Sequence, residues 1–194
     1  QQIEEEVRRR GHLYIYNGSK SIDSKVLEAV RLWEYLREGN KLSKEQVLLV
    51  YKHMMLNSQV KYGCKTMPDG EEGSFYSLQE LQNNHGLLHN HPWDIGLGKI
   101  NQRDKTYIKA CLRKGESLTE TPRLRISTIH SAKGAQATNV MLLTDTMKRP
   151  YSMWRKIHTY EEDETRVFYV GLTRAINNIH LIHPMYSQGY ALPY

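Results

Sequence analysis

Apolar side chains recur at Ile22, Val26, Ala29, Val30, Trp33 and Leu36, a spacing that paints one face of a helix over residues 22–37. Ser21 or Asp23 offers a cap for its start and Gly39 a left-handed stop for its end. A short β-like run, His12-Leu13-Tyr14-Ile15-Tyr16, precedes this helix and is halted by Asn17-Gly18. Gln46 to Tyr51 is continuously apolar after its first residue, the pattern of a buried parallel strand. It predicts a strand over 46–51, followed by a helix over 53–62. Residues 1–10 are charged and read as a helix end or the edge of the fragment.

The periodicity lapses between Gly63 and about Gly98, where Gly, Asn, His, Asp and Pro are frequent. That stretch reads as an insertion or connector holding at most a brief helix near 77–84. It resumes over 99–114, where Ile100, Tyr107, Ile108, Cys111 and Leu112 roughly align and Gly115 supplies a stop. Strands are predicted over 124–129, 140–144 and 179–182, and a helix over 161–175. Strand and helix in alternation imply an α/β fold with a mostly parallel sheet and flanking helices. Ligand-binding loops are then expected at the carboxyl ends of the strands.

Composition narrows the function classes only modestly. The 194 residues carry 27 Lys and Arg against 21 Asp and Glu, a net charge of +6, which favours polyanionic partners without requiring one. Cys64 and Cys111 stand far apart with no metal-site spacing and read as reduced thiols. No apolar run reaches membrane-spanning length, and the N-terminus lacks the apolar core of a signal peptide. A soluble, intracellular protein is the expectation.

Two segments carry the chemistry. The first is Ser127-Thr128-Ile129-His130-Ser131-Ala132-Lys133-Gly134. The second runs Asp163-Glu164-Thr165-Arg166-Val167-Phe168-Tyr169-Val170-Gly171-Leu172-Thr173-Arg174-Ala175. Together, and in this order, they resemble motifs V and VI of the UvrD/Rep family of superfamily-1 DNA helicases. The apolar strand between them fits the same family. Glu45 to Lys52, with Asn57 and Ser58, is more loosely similar to its motif IVa, a strand and polar turn that touches DNA.

The resemblance implies the second RecA-like (2A) domain of an ATP-dependent helicase. Residues 1–62 would form its first part, 63–98 a reduced 2B-like insertion, and 99–194 its second part with both motifs. So short an insertion suggests a compact phage or plasmid enzyme, which implies the cytoplasm of a bacterial or phage-infected cell. Phosphoanhydride cleavage needs positive charge where negative charge builds on the γ-phosphate. Arg174 is the implied arginine finger, although in isolation it would read as the partner of an acid on its own helix. Arg166, about two turns earlier, is implied as a brace or second phosphate contact; an ion pair with Glu162 is the alternative.

Thr128, His130 and Ser131 would contact single-stranded DNA, while Gly134 and Gln136 would approach the nucleotide. His130 taken alone would read as a satisfied core histidine. Small residues let the main chain come near a phosphate or sugar. Lys52 and Tyr51 are a further DNA-contact pair, one for a phosphate and one for stacking on a base; a solvated lysine beside a core tyrosine is the alternative. Gln136 stands where the family usually has a ribose-binding glutamate, so ribose recognition is altered here. Ala135 and Ala137 replace the family's usual apolar and aromatic neighbours.

Other signals carry less. Gly96-Leu97-Gly98-Lys99 lacks the glycine five positions before its Gly-Lys pair, which is Trp93, and is followed by Ile100, so it is not a Walker A loop. His85, His89 and His91 lie near Asp94, but Asn83, Asn84, Asn90 and Pro92 oppose the helix a zinc pair would need. No metal site is expected. ATP with Mg2+ would therefore be held mainly by a first RecA-like domain upstream, which the fragment needs for hydrolysis. Single-stranded DNA or a duplex junction is the expected substrate, with 3′-to-5′ movement implied by the family. A lysine, Lys133, before the motif V glycine separates the chain from the RecD- and Upf-like branch. A non-catalytic DNA-binding or docking module of helicase-like fold is the alternative from another class.

Overall fold

The computed structural model describes residues 2–67, 71, 73–144 and 157–183, with the backbone alone for 157–164. Helix α2 (Ser24–Arg37) forms where the spacing predicts: the Asp23 side chain caps the Lys25 amide, and Leu27, Ala29, Val30, Leu32, Trp33 and Leu36 are buried. Before it come α1 (Gln2–Arg9) and a hairpin of β1 (Tyr14–Tyr16) and β2 (Ser19–Lys20) turning through Asn17-Gly18. After it a two-residue strand, β3 (Leu42–Ser43), pairs antiparallel with β4 (Phe75–Tyr76).

The run over 46–51 is not a strand. It lies within helix α3 (Lys44–Lys52), which opens on a reciprocal capping box: Ser43 Oγ accepts the Gln46 amide, and the Gln46 side chain accepts the Ser43 amide. Val47, Val50 and Tyr51 are buried, a three-and-four spacing that an unbroken apolar run conceals because it satisfies both periods. The helix expected over 53–62 is absent as well. Asn57 takes a positive φ of 64°, and Val60 forms isolated bridges with Leu56 and Leu87.

Helix α4 (Leu78–Asn84) and a single turn, α5 (Trp93–Gly96), fall within 63–98. Helix α6 (Gln102–Lys114) follows, capped by Asn101 and stopped by Gly115 at φ 78°. Strand β5 (Leu124–Ile126) pairs parallel with β1, so the β2-β1-β5 sheet is mixed. Beyond it lie β6 (Ala137–Leu143), α7 (Ile157–Leu172) and β7 (Ala175–Ile182), with β6 and β7 parallel. The described strands thus form three small sheets, one mixed, one antiparallel and one parallel, in place of one sheet through strands at all five expected places.

The chain divides into two compact units, Gln1–Ile126 and Ser127–Tyr194. In the first, α2 and α3 pack around Trp33, Tyr51 and Met54, all fully buried. Met67, Tyr76, Leu81, Leu87, Trp93 and Leu97 join the same core, so residues 63–98 complete it. Gln59 organises the loops there. Its Oε1 accepts both the Met55 amide (2.7 Å) and the Gly98 amide (3.0 Å), and its Nε2 donates to the Ile95 carbonyl. In the second unit Phe168 and Leu142 are buried, and Gly171 brings α7 onto β6. A Cβ there would stand 2.9 Å from Leu142 Cδ1.

No described helix is long and apolar enough to cross a membrane.

Candidate nucleotide and nucleic-acid interface

Residues 127–136 of the second unit form a chain of tight turns. Thr128 Oγ1 accepts the Ser131 amide (3.2 Å) and lies 2.9 Å from Ser131 Oγ. The Ala132 amide is shared between the Thr128 and Ile129 carbonyls, closing a 3-10 turn over His130–Ala132. A threonine hydroxyl bonded to the main chain three residues on is the ordinary chemistry of such turns. Gly134 then takes φ 81° with open space where a Cβ would stand. A left-handed turn therefore selects glycine here, and crowding plays no part. Thr128, His130, Ser131, Lys133 and Gln136 are exposed. His130 is thus no core histidine.

Arg174 lies just past the end of α7, on the turn that leads into β7. Its guanidinium bonds from all three nitrogens: Nε to the Val170 carbonyl (2.9 Å), one terminal nitrogen to the Ala135 carbonyl (3.3 Å), the other to Thr173 Oγ1 (2.9 Å). The first bond satisfies a carbonyl that the helix end leaves open, a favourable place for a cation. The second ties the helix end to the turn-rich segment. The main chain repeats the tie, since the Ala137 amide donates to the Arg174 carbonyl (3.0 Å). Gln136 lies between these two anchor points. No acid of its own helix is among the partners these bonds record, so the simple ion-pair reading of Arg174 is not what the described geometry displays.

This arrangement meets the expected polarity only in part, since the turns over 127–134 come directly after the carboxyl end of β5. Ala137 and Ala175 are the first register partners of β6 and β7, so Gln136 and Arg174 gather at the amino ends of these strands. The carboxyl-end rule holds for ligands at crossovers of open sheets. Here a helix end, with its own carbonyls to satisfy, fixes the position of the arginine.

Arg166 is exposed on α7; the side chain of Glu162, its suggested partner, lies outside the described residues. Tyr51 and Lys52 belong to the first unit. Tyr51 is 0% exposed and its hydroxyl donates to the His85 carbonyl (3.1 Å). Burial pushes the phenol well above its usual pKa. Its ring offers no face to a base, which corrects the stacking assignment, and Lys52 closes a helix where a strand was expected. The histidines are dispersed in role. His85 stands edge-on to Tyr76, while His89 is buried against Trp33 and stacks with His91 at 5.5 Å. Among the described residues no group of three or more His, Cys, Asp or Glu is placed to hold a metal ion.

Reading side-chain types missed the carbonyls of Ala135 and Val170 and the orienting hydroxyl of Thr173. Two of these are main-chain groups, which every residue carries, so no sequence signal marks them.

Searches of curated proteins and of solved structures return no match. A family model, the UvrD-like helicase C-terminal domain, matches residues 98–184, taking in α6, β5, the turns over 127–136, and the segment bearing Arg174. Residues 98–184, a little under half of the chain, are thus similar to the UvrD-like helicase C-terminal domain.

Proposed function

We propose that the chain is the second RecA-like motor domain of an ATP-dependent DNA helicase, with Arg174 as its arginine finger. The observation that carries this reading is the bond from the Arg174 guanidinium to the Ala135 carbonyl, which ties the second motif segment to the residue directly after the first. Of the five N–H groups of an arginine, three are engaged here. The remaining two have no partner among the described residues and would meet the γ-phosphate. A guanidinium already held by Val170, Ala135 and Thr173 loses little freedom on meeting charge, the condition for electrostatic stabilisation of a transition state.

ATP with Mg2+ supplies the phosphoanhydride whose cleavage drives movement, and a first RecA-like domain would hold most of both. Within this chain Gly134, Gln136, Arg166 and Arg174 are the residues that would line the nucleotide. Thr128, His130 and Ser131 would touch the DNA backbone, and their exposure on consecutive turns supports that assignment. Lys52 remains a DNA-contact candidate through its charge alone. The RecA-like lineage also frames 1–62 and 99–194 as parts of one domain separated by 63–98.

The test joins the chain to the first RecA-like domain and measures single-stranded-DNA-stimulated ATP turnover. Arg174→Ala is expected to cut turnover about a thousandfold, the usual effect of removing such an arginine, with a smaller effect on ATP affinity. Turnover within a few fold of wild type overturns the finger and leaves a non-catalytic docking module as the better reading.

A further inference from the structure

We propose that Thr173 is the positioning residue of Arg174, a role that rests on the reading of Arg174 as the arginine finger. Its hydroxyl bridges the helix end and the guanidinium and so sets the angle at which the finger is presented.

Three hydrogen bonds close a ring where α7 ends. Arg174 Nε donates to the Val170 carbonyl (2.9 Å), and a terminal nitrogen of the same guanidinium donates to Thr173 Oγ1 (2.9 Å). Thr173 Oγ1 in turn donates to the Val170 carbonyl (3.0 Å). Chemistry fixes the direction of each bond, because a carbonyl only accepts and a guanidinium only donates. The hydroxyl serves both by turning its proton to Val170, which leaves its lone pairs to Arg174. Main-chain bonds hold the frame on both sides. The Thr173 amide donates to the Tyr169 carbonyl (3.0 Å), the Arg174 amide to the Gly171 carbonyl (3.2 Å), and the Ala137 amide to the Arg174 carbonyl (3.0 Å).

A threonine that donates to a carbonyl one turn back is common in helices. That habit accounts for the proton of Thr173 and leaves its lone pair unexplained. Arginine is long and flexible, and a bond at Nε fixes only one point of its guanidinium. The bond to Thr173 fixes a second point and with it the tilt of the plane. The third bond, to the Ala135 carbonyl, is the longest at 3.3 Å. Thr173 is therefore the side chain that does most to aim the group.

The nature of the partners matters as much as their number. Two carbonyls and a hydroxyl are all neutral. A carboxylate in their place would hold the arginine as firmly but would offset the charge that a phosphate must meet. Neutral acceptors orient the guanidinium and leave its charge to act, the condition for preorganised stabilisation of a transition state. A group that acts in the transition state costs rate when it is misplaced, with little effect on ground-state binding.

The test uses the chain joined to the first RecA-like domain and measures kcat and KM for ATP at saturating single-stranded DNA. T173V keeps the branched shape and loses the hydroxyl; it is expected to lower kcat about tenfold with KM for ATP nearly unchanged. T173S keeps the hydroxyl and should recover most of the loss. In the R174A background T173V should cost nothing further, because a residue that acts through Arg174 then has nothing to aim. In the 194-residue chain the Arg174 Nε–H, followed by NMR, should exchange with solvent faster in T173V than in wild type or T173S. A T173V kcat within about twofold of wild type, beside an R174A variant that has lost turnover, overturns the role of Thr173 and leaves the finger standing. A T173V loss that persists undiminished in the R174A background marks a purely structural effect and also overturns it. Wild-type turnover by R174A itself would remove the finger, and the positioning role with it.

Discussion

The two units are stabilised by different means. Residues 1–126 enclose a continuous core built by α2, α3, α6 and the loops of 63–98, with Trp33, Tyr51, Met54, Leu81 and Ile108 fully shielded. Residues 127–194 bury Leu142 and Phe168 among those described, and leave Met141 (73%), Ile176 (62%) and Tyr169 (67%) in the open. Yet the second unit carries most of the segment that is similar to the UvrD-like helicase C-terminal domain. Its identity is written in turns, a helix end and a few hydrogen bonds, while the first unit is written in packing. A residue chosen for chemistry is legible from its type and its neighbours. One chosen for packing is legible only through its period.

Three substitutions probe that contrast. Trp33→Ala removes the ring at the centre of the first core, where its Nε1 also donates to the His91 carbonyl (2.9 Å). A loss of about 3–5 kcal/mol is expected, read by denaturant unfolding, with hydrogen exchange accelerated in residues 1–126 far more than over 137–143 and 165–182. Equal acceleration in both would show that the units do not unfold separately. Gly171→Ala forces a methyl against Leu142 and should cost about 1–3 kcal/mol, with faster exchange confined to β6, α7 and β7. Faster exchange in α2 and α3 would break the comparison from the other side.

Tyr51→Phe should cost about 1 kcal/mol through the lost bond to the His85 carbonyl. Oligonucleotide affinity should not change, because the ring is enclosed. A marked fall in affinity would restore the aromatic contact that the buried position denies. The carbonyl left behind gives the stability measurement its own sign check, since replacing one partner alone exposes the desolvation cost of the other.

Much of the fold was readable in advance. Helices over 22–37, 77–84 and 99–114 followed from spacing and caps, and Asp23 and Gly115 act as such positions should. The failure at 46–51 has a definite cause. Six residues with apolar character at nearly every position fit a strand buried on both faces and a helix buried on one. The deciding information lay in Ser43 and Gln46, whose side chains close a capping box just ahead of the run. At the candidate site, the turn-forming types of Thr128, Ser131 and Gly134 were legible in the sequence, and the structure places them on consecutive tight turns. Tyr51 was misread because an aromatic ring beside a lysine looks the same in sequence whether it faces solvent or core.

By itself, then, the sequence determined what each segment is made to do locally. Capping residues begin helices, glycines end them, and the Thr-Arg-Ala sequence at 173–175 joins a helix to a strand. Tertiary structure decided what meets. Only folding put the Ala135 carbonyl under the Arg174 guanidinium, the His85 carbonyl over the Tyr51 hydroxyl, and the Gly98 amide on the Gln59 side chain. The reason is physical. Local conformation depends on a few neighbouring dihedral angles and side chains, whereas these encounters join main-chain groups and long flexible side chains that carry no periodicity for a sequence to display.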